Sequence, residues 1–530
     1  MLLVFAVIGS VFIFRSFAAN PNLPGDVNND NVVNITDLSM LLSAYGKPGT
    51  AADFNGDGQV GITDLSILLT NYGKTYSGNP GPGPTPPGPN PNPAPATYPL
   101  KVSPDKRKLV GANGSPYFWQ ADTAWNLPGR LSDSDATLYF DARKEQGFNT
   151  IFVSLIDLTR GSVDNAQTYN GTKLFNGGDM GTPNPAFFDR MDVLIGMARD
   201  RGMQLAIWPA WMHWATKEGS YNASNMTAYG NWLGNRYKNT PNIMWVMGGD
   251  WGNGPEGMCP HQSEVKALAN ALKATDPNHL ITYHSGSAMS SSDCYHNESW
   301  LDFNGTYWDF NFNNMGSAYT LTHEDYRKTP TKPTVMLEMG YEGPSPNDAP
   351  SDQMYSIDAR MQSAYQALGG AMGFSYGANS TFRMNNAATG DNTQTWQKTL
   401  EIPGAKYQQY MGDVFRKRLA KWATMTPDLD RSVMTAGHGT YGGHNYALAS
   451  RSADGSLVIA YTSNTRNLTV DMGKLSGSTT ARWFDHTGNE YKTITGSPFP
   501  NTGSRQFSTP GNNKAGQSDW FLILETNPVD

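Results

Sequence analysis

Residues 240–251 read Thr-Pro-Asn-Ile-Met-Trp-Val-Met-Gly-Gly-Asp-Trp, and this stretch decides the fold. Its apolar run, residues 243–247, has the length of a strand, and the two glycines after it predict a sharp turn. Asp250 comes directly after the turn. A buried strand that leads into a glycine turn and a carboxylate is typical of the catalytic end of a parallel barrel. An ordinary buried strand followed by a capping aspartate would give the same pattern.

A second stretch, residues 332–343, has the same order, an apolar run followed by the carboxylate of Glu338. Between residues 98 and 425, strand-like runs alternate eight times with helix-like segments, which predicts a parallel sheet. Eight such strands predict closure into a (β/α)8 TIM barrel. The predicted strands are residues 117–121, 150–155, 203–208, 243–247, 280–283, 301–303, 334–337 and 372–375.

In such a barrel, the residues just after each strand converge on one mouth. Asp250 and Glu338 follow the fourth and seventh strands, so we expect them to face each other there. One protonated and one ionised carboxyl group are what cleavage of a glycosidic bond requires. The other residues predicted at the mouth, as substrate contacts, are Asp122, Trp208, Trp211, His213, His284, Asn304 and Tyr376.

Net charge and aromatic content limit the classes of partner that the chain is expected to bind. The 530 residues carry a formal net charge of -7, with a sequence pI near 5.7, and contain no basic run. This composition disfavours nucleic acid as a partner. The 14 tryptophans, 25 tyrosines and 22 phenylalanines suit either sugar stacking or a large core. Core packing is the preferred interpretation of Trp119, Trp245 and Trp422.

The N-terminus predicts export. Residues 1–14 form an apolar run that Arg15 ends, and Ser16 and Ala18 in the following Ser-Phe-Ala offer the small side chains that flank a cleavage point. We therefore interpret residues 1–19 as a secretion signal, with an uncleaved anchor as the alternative because no Lys or Arg precedes the run. The two cysteines, Cys259 and Cys294, are interpreted either as one extracellular disulfide or as two buried thiols.

Residues 20–74 contain a repeat, in which the pattern of Asp26 to Asp37 recurs from Asp53 to Asp64. Oxygen-bearing side chains at loop positions one, three, five and twelve, with a backbone carbonyl at seven, match a calcium loop. Hard oxygen ligands in an acidic ring need a cation, because the carboxylates would otherwise repel each other. The predicted ligands of two Ca²⁺ ions, with Asn34 at position nine of the first loop, are Asp26, Asn28, Asp30, Val32, Asn34, Asp37, Asp53, Asn55, Asp57, Gln59 and Asp64.

Two further segments complete the domain organisation. Residues 75–97 are so rich in proline and glycine that they predict a semi-rigid, extended linker. Residues 426–530 contain short alternating runs separated by Gly, Asn and Asp turns, which predict a small antiparallel β-sandwich. A sandwich packed permanently against the barrel is the preferred role, and carbohydrate binding is the second.

The paired calcium loops resemble type I dockerin modules over residues 26–74. The resemblance implies two Ca²⁺ ions, a cohesin-type protein partner and recognition through Ile35-Thr36 and Ile62-Thr63. Asn31 replaces the usual turn glycine, and Gly61 supplies no side chain at position nine. A calcium-stabilised spacer without a cohesin partner is the alternative.

The barrel segment resembles the apiosidase-like glycoside hydrolases of family 140. Five motifs carry the resemblance in order: Phe118-Trp-Gln-Ala-Asp-Thr-Ala-Trp-Asn-Leu, Gln146-Gly-Phe-Asn, Asn242-Ile-Met-Trp-Val-Met-Gly-Gly-Asp, Leu301-Asp-Phe-Asn and Lys332-Pro-Thr-Val-Met-Leu-Glu-Met-Gly-Tyr-Glu. The resemblance implies a (β/α)8 enzyme acting on plant cell-wall glycans, with Asp250 as acid/base and Glu338 as nucleophile. Trp125, Trp251 and Tyr341, in or beside these motifs, are further candidate substrate contacts.

Residues 426–530 resemble the C-terminal module of this family. That module carries a collagen-binding label, from which we infer no collagen binding.

We therefore predict a secreted retaining glycoside hydrolase that acts on pectic side chains. Retention requires carboxylates about 5 to 5.5 Å apart, and inversion about 6.5 to 9.5 Å. Glu342 is the alternative nucleophile, although its place beyond the strand end favours a supporting role. Residues 305–311 depart from the family's usual mouth loop, which leaves the sugar open.

Two other classes of function remain as alternatives. A non-catalytic adhesin that binds glycan and assembles through the calcium module would retain the same domains. A metal hydrolase is disfavoured because the sequence has no His-x-x-x-His spacing near the predicted mouth. We expect no catalytic cofactor and a monomeric catalytic part.

Overall fold

The computed structural model describes residues 23–27, 32–48, 52–55, 58–74, 97–156, 166–211, 221–250, 259–308, 315–343, 354–385 and 394–529. The predicted signal, residues 1–19, and all of the predicted linker except Thr97 lie outside these residues. The chain divides into two units, Met1–Ala94 and Pro95–Asp530. Within the described part of the chain, no helix combines the length and hydropathy of a membrane span.

Among the described residues of the first unit are two helices, α1 (Ile35–Ala44) and α2 (Ile62–Asn71), one after each predicted calcium loop. The side chain of Asn34 caps α1 by accepting a hydrogen bond from Thr36 N at 2.7 Å. The described core of this unit is small and consists of Leu23, Val27, Val33, Leu41, Ala52, Val60 and Leu68.

The second unit begins with a small antiparallel sheet, β1 (Lys101–Val102), β2 (Leu109–Val110) and β3 (Pro116–Tyr117). The barrel region follows, and its strands are β4 (Trp119–Thr123), β5 (Thr150–Ser154), β6 (Gln204–Trp208), β7 (Ile243–Gly248), β8 (Ile281–His284), β9 (Met289–Ser290), β10 (Asn304–Tyr307), β11 (Thr334–Glu338) and β12 (Gly373–Tyr376). Its helices are α3 (Leu127–Arg130), α4 (Asp133–Glu145), α5 (Pro185–Asp200), α6 (Ala223–Tyr237), α7 (Gln262–Thr275), α8 (Ser292–Tyr295), α9 (Ser317–Arg327), α10 (Ser356–Leu368), α11 (Trp396–Thr399), α12 (Pro403–Arg416) and α13 (Leu419–Trp422).

Eight parallel strands form the predicted barrel. Six of them lie in the order β12-β4-β5-β6-β7-β8, and β10 pairs in parallel with β11. At one edge Asp302 N donates to Ile281 O at 2.9 Å, and at the other Met372 N donates to Thr334 O at 2.9 Å. These bonds join the two parallel groups, which confirms the (β/α)8 prediction. The short strand β9 pairs antiparallel with β10.

Cys259 and Cys294 form a disulfide, with their Cα atoms 5.7 Å apart. Of the two interpretations of the cysteines, the bridge is therefore confirmed. It links the segment after β7 to α8.

The C-terminal part is a β-sandwich, as predicted. Its strands are β13 (Thr426–Pro427), β14 (Met434–Ala436), β15 (Leu448–Arg451), β16 (Leu457–Thr462), β17 (Asn467–Asp471), β18 (Thr480–Asp485), β19 (Glu490–Thr493), β20 (Ser504–Ser508) and β21 (Trp520–Glu525). A six-stranded sheet, β13-β15-β16-β21-β18-β19, faces a three-stranded sheet, β14-β17-β20. Both faces of its central strands β16, β21 and β18 are buried, while the edge strand β19 is mostly exposed.

Successive side chains of β21 point to opposite faces of the larger sheet, and they show what each face packs against. Trp520, Leu522 and Leu524 belong to the core between the two sheets. Phe521 and Ile523 instead join a core with α10 and α12 of the barrel. A buried ion pair reinforces this junction, because Arg360 of α10 lies 3.0 Å from Asp519. The sandwich is therefore fixed to the barrel, as the preferred role predicted.

Candidate active site

The turn after β7 requires its two glycines. Gly248, Gly249 and Asp250 all have positive φ, of 81°, 126° and 41°. A Cβ at Gly248 would lie 2.3 Å from the carbonyl oxygen of His284, and one at Gly249 would lie 2.7 Å from the ring of Trp211. Only glycine fits these close approaches without strain. The Gly-Gly pair thus sets Asp250 at the barrel mouth, as predicted.

Glu338 ends β11 and is 6% exposed. Its Oε1 accepts a hydrogen bond from the hydroxyl of Tyr341 at 2.8 Å, and its Oε2 lies 3.1 Å from Nε2 of His284. Nε1 of Trp125 in turn donates to the Tyr341 hydroxyl at 2.7 Å. The hydrogen bond from Tyr341 therefore orients the carboxylate, while the second oxygen lies close to His284 without a hydrogen bond to any described residue.

Asp250 and Glu338 interact electrostatically, although they come from different strands. Asp250 is exposed at the mouth. The surrounding protein nevertheless removes much of its solvent, and this desolvation, with the negative charge of Glu338, raises the pKa of Asp250 to about 8. At neutral pH Asp250 is therefore mostly protonated. A neutral acid beside a second carboxyl group is the division of roles that glycosidic cleavage uses.

Aromatic rings surround His284, which is fully buried at the end of β8. Trp125 lies parallel to the imidazole at 6.1 Å, while Trp208 and Trp211 meet it edge to face at 5.8 and 5.5 Å. All three tryptophans were predicted as substrate contacts. In this structure they pack on one another and on His284, so they form the wall of the mouth that supports the carboxylates.

Tyr307 belongs to the same wall, and the sequence analysis missed it. Its ring lies 5.3 Å from that of His284. A register shift between Thr306 and Tyr307 places Tyr307 opposite Glu338 instead of Leu337. An irregularity of this kind leaves no signal in the hydrophobic pattern, so only the structure locates it.

Asn304 does not lie at the mouth, which corrects one prediction. The sixth strand was predicted at residues 301–303, but β10 runs from Asn304 to Tyr307. Asn304 therefore begins the strand, opposite Thr334 at the start of β11, and its Oδ1 lies 3.3 Å from Nδ1 of His296. Because the strand is displaced by three residues, the residue at its mouth end is Tyr307.

Asp122 and Tyr376 also need correction as substrate contacts. Asp122 is fully buried and forms an ion pair with Nε of Arg143 at 2.7 Å, on helix α4 outside the barrel. Tyr376 pairs with Asp122 across β12 and β4, and its hydroxyl donates to Glu342 at 2.6 Å. Paired residues of neighbouring strands point to the same side of the sheet, and the contacts of Asp122 with Arg143 and of Tyr376 with Glu342 show that this side faces the helices.

Glu342, the alternative nucleophile, has a structural position. Besides the Tyr376 hydroxyl, its carboxylate accepts a hydrogen bond from Gly404 N, in the first turn of α12, at 3.0 Å. The N-terminus of a helix carries a partial positive charge, which stabilises a nearby carboxylate. The side chain thus ties the loop after β11 to α12, consistent with a supporting role. The other two predicted contacts, His213 and Trp251, lie outside the described residues.

The calcium-loop segments bury acidic side chains at predicted ligand positions. Asp26, Asp37 and Asp64 are fully buried acidic side chains. Asp37 accepts hydrogen bonds from Val27 N and Asn34 N at 2.8 and 2.9 Å, and Asp64 accepts from Gly61 N at 2.8 Å. The twelfth residue therefore folds back over each loop. Asn28, Asp30 and Asp57 lie outside the described residues, while the other predicted ligands, among them Val32, Asp53, Asn55 and Gln59, belong to the described loop segments.

Comparison with known families gives three matches along the chain. The profile of the apiosidase-like catalytic domain matches residues 103–451. A collagen-binding-type domain matches residues 429–525, and the type I dockerin domain matches residues 24–71. None of the curated proteins that were compared matches the chain.

Solved structures are also similar to this chain. A glycoside hydrolase shares 25% identity and a TM-score of 0.70, with 81% of this chain and 97% of that chain covered. A family 5 glycoside hydrolase from Bacteroides vulgatus has the same fold, with 24% identity, a TM-score of 0.70 and coverage of 80% and 93%. The barrel and the sandwich thus occur together in other proteins.

Proposed function

The chain belongs to the apiosidase-like family of glycoside hydrolases, and from this premise we propose that it cleaves glycosidic bonds in pectic side chains of the plant cell wall with retention of configuration. The observation that carries the proposal is the raised pKa of Asp250 beside Glu338. Two carboxyl groups with different environments at one mouth supply the acid and the nucleophile of a two-step displacement.

In the first step, a carboxylate oxygen of Glu338 forms a bond to the anomeric carbon while the bond to the leaving oxygen breaks. Asp250 donates its proton to that oxygen, so the leaving group departs as a neutral alcohol. The Tyr341 hydroxyl, which donates at 2.8 Å, orients Glu338, and the His284 ring lies 3.1 Å from the other carboxylate oxygen. This preorganisation limits the motion needed for attack.

In the second step, water attacks the anomeric carbon and the bond to Glu338 breaks. Asp250, now ionised, accepts the proton of that water, which restores both groups to their starting states. The sugar then has the configuration that it had in the substrate. Apiose is one candidate sugar, and another furanoside or pyranoside is the alternative.

The dockerin domain supports a second part of the proposal. We infer that it binds two Ca²⁺ ions through the loop oxygens named above and attaches the enzyme to a cohesin-type protein outside the cell. Calcium would neutralise the buried carboxylates Asp26, Asp37 and Asp64. Export would also suit the disulfide between Cys259 and Cys294.

Product analysis with azide tests the catalytic proposal. Pectic and arabinan digests identify the released sugar, and its 4-nitrophenyl glycoside then serves as substrate. With azide, Glu338→Ala should yield the glycosyl azide of inverted configuration, and Asp250→Ala the azide of retained configuration. Glu145→Gln, at an exposed carboxylate of α4, should leave turnover unchanged.

Two results would contradict the proposal. Full activity in both Asp250→Ala and Glu338→Ala would reject the assigned carboxylates. Sugar binding by the wild-type protein without turnover of any pectic or arabinan digest would favour the adhesin instead.

A further inference from the structure

A cavity of about 250 Å³ lies between the barrel and the sandwich, away from the mouth. The last two turns of α9 line one side with His323 and Arg327, and the segment between β13 and β15 lines the other with Arg431, His438 and Tyr441. Helix α9 follows β10 and leads to the start of β11. Its C-terminal end therefore lies at the face of the barrel opposite the mouth.

Stacked rings build the inner part of this cavity, which we call the seam cavity. His438 lies parallel to Tyr446 with ring centroids 5.6 Å apart. His323 lies parallel to Tyr441 at 5.9 Å, and its Nδ1 is 3.2 Å from the Tyr441 hydroxyl. Tyr441 is nevertheless 44% exposed. An exposed aromatic ring that is already held in place provides a stacking surface for a sugar at low entropic cost.

Two arginine side chains, Arg327 and Arg431, line the rim of the cavity. The Arg327 side chain makes no hydrogen bond or ion pair with any described residue, and the guanidinium of Arg431 lies 5.7 Å from the centre of the Tyr446 ring. Asp428, the acidic residue of the lining, is turned inward and accepts hydrogen bonds from Val433 N at 3.0 Å and Met434 N at 2.8 Å.

The two imidazoles add no charge at neutral pH. Burial, helped by the nearby Arg327, lowers the pKa of His323 to about 3. Burial also lowers the pKa of His438. Among the lining residues, two guanidinium groups therefore face one carboxylate, Asp428, whose oxygens are already occupied and which also interacts with the exposed Asp430 outside the lining. The guanidinium groups are the positions at which an anion would bind. Guanidinium groups are well suited to a carboxylate, which they can bind through paired N–H donors.

We propose that the seam cavity is a second carbohydrate site, which binds a hexuronic acid residue of a glycan independently of the active site. Tyr441 stacks on the sugar ring, Arg327 and Arg431 bind its carboxylate, and the neutral histidines offer ring nitrogens to its hydroxyl groups. The site would hold an acidic glycan backbone on one face of the barrel while the mouth acts on a side chain.

Calorimetric titration of the full chain tests this site. The titrations use the Glu338→Gln background, so that turnover cannot interfere, and the probe is trigalacturonate, with neutral galactotriose as the matched control. We expect galactotriose to bind at least about 10-fold more weakly, because it lacks the carboxylates. Binding of trigalacturonate should also weaken as the salt concentration rises.

Variants at the rim locate the binding. Arg327→Gln and Arg431→Asn should each weaken trigalacturonate binding by about 5- to 10-fold. Asparagine is chosen at position 431 because Arg431 has a φ of 57°, which asparagine tolerates. Arg199→Gln, at an exposed arginine, is the matched control and should bind like the parent. Thermal unfolding checks that each variant is folded.

Three outcomes would overturn the proposal: no saturable binding of trigalacturonate, equal binding of galactotriose, or unchanged affinity in the Arg327→Gln/Arg431→Asn double variant. The last would place the binding elsewhere, including at the mouth. Because the same rim variants in an otherwise wild-type chain should hydrolyse a small 4-nitrophenyl glycoside normally, the seam site and the proposed hydrolysis can fail separately.

Discussion

Tyr341 donates its hydroxyl hydrogen to Oε1 of Glu338 at 2.8 Å, inside a wall of buried aromatic rings. A second tyrosine, Tyr376, donates to Glu342 at 2.6 Å on the helix side of the barrel. The two pairs have the same chemistry, a phenol that donates to a buried glutamate. Only the first pair lies at the mouth, and this difference separates a catalytic support from a structural one.

We predict that Tyr341→Phe lowers kcat by about 10- to 100-fold, since a hydrogen bond to a charged group contributes about 1.5 to 3 kcal/mol. KM should stay within about twofold, because the hydroxyl orients Glu338 and does not hold the substrate. Steady-state kinetics on the 4-nitrophenyl glycoside measures both constants. The matched variant Tyr376→Phe should change kcat far less, and equal losses of kcat in the two variants would contradict this prediction.

The pH dependence of turnover should report Asp250. Its pKa is raised to about 8, so the acid form needed for leaving-group protonation is present below that pH and lost above it. We expect kcat/KM to fall on the alkaline side around pH 8. In Asp250→Asn this alkaline limb should disappear from the residual activity. An alkaline limb that stays in place in the variant would assign it to another group.

The same raised pKa affects stability, with a definite sign. Asp250 has a pKa of 3.8 as a free side chain and about 8 in the folded protein. The folded state favours the protonated side chain over the ionised one. The contribution of Asp250 to the free energy of unfolding is therefore complete below pH 3.8 and is lost as the pH rises towards 8. Relative to wild type, Asp250→Asn should therefore gain stability between pH 4 and pH 8. Scanning calorimetry at several pH values measures this gain, and an equal difference in melting temperature at pH 4 and pH 8 would contradict it.

The ion pair between Asp122 and Arg143 should stabilise the fold and have no effect on kcat or KM. Both side chains are fully buried, so Asp122→Ala would leave the guanidinium without its partner. Removal of one partner of a buried pair costs about 3 to 5 kcal/mol. We expect a loss of this size in denaturant unfolding, with kcat and KM per folded molecule unchanged at low temperature. The double variant Asp122→Ala/Arg143→Met should lose less stability than Asp122→Ala alone.

An increase in KM for Asp122→Ala, without a loss of stability, would restore the original interpretation of Asp122 as a substrate contact. That interpretation failed for a physical reason. Strands of a parallel barrel are buried on both faces, so they lack the alternation of polar and apolar residues that shows which way a side chain points. The sequence placed Asp122 correctly near a strand end and could not give its direction.

Strand composition explains the error at Asn304. Residues 301–303, Leu-Asp-Phe with two large apolar side chains, looked like the strand, while β10 itself reads Asn-Gly-Thr-Tyr. Gly305 is needed there because a Cβ would lie 2.2 Å from Leu337 Cδ1 on the neighbouring strand. Where the carboxylate follows a glycine turn directly, as at Asp250, or ends an apolar run, as at Glu338, the local sequence was sufficient to predict its position at a strand end. Tyr307 depended on a register shift, which only the assembled sheet determines.

Calcium removal should unfold the first unit while the catalytic unit stays folded. The described core of the first unit consists of seven side chains, which is too small to stabilise a domain without metal or disulfide support. Binding energy of the metal is then folding energy. In calorimetry of the full chain, EGTA should abolish one small transition and leave the larger one at its original temperature.

The variant Asp64→Ala should behave like the chelated protein even in calcium, because the substitution also removes the hydrogen bonds that Asp64 accepts from Phe54 N at 2.7 Å and Gly61 N at 2.8 Å. Ser66→Ala, on the exposed side of α2, is the control and should keep the calcium-dependent transition. An unchanged thermogram in EGTA would show that the first unit folds without calcium, and the assignment of both loops would then be wrong.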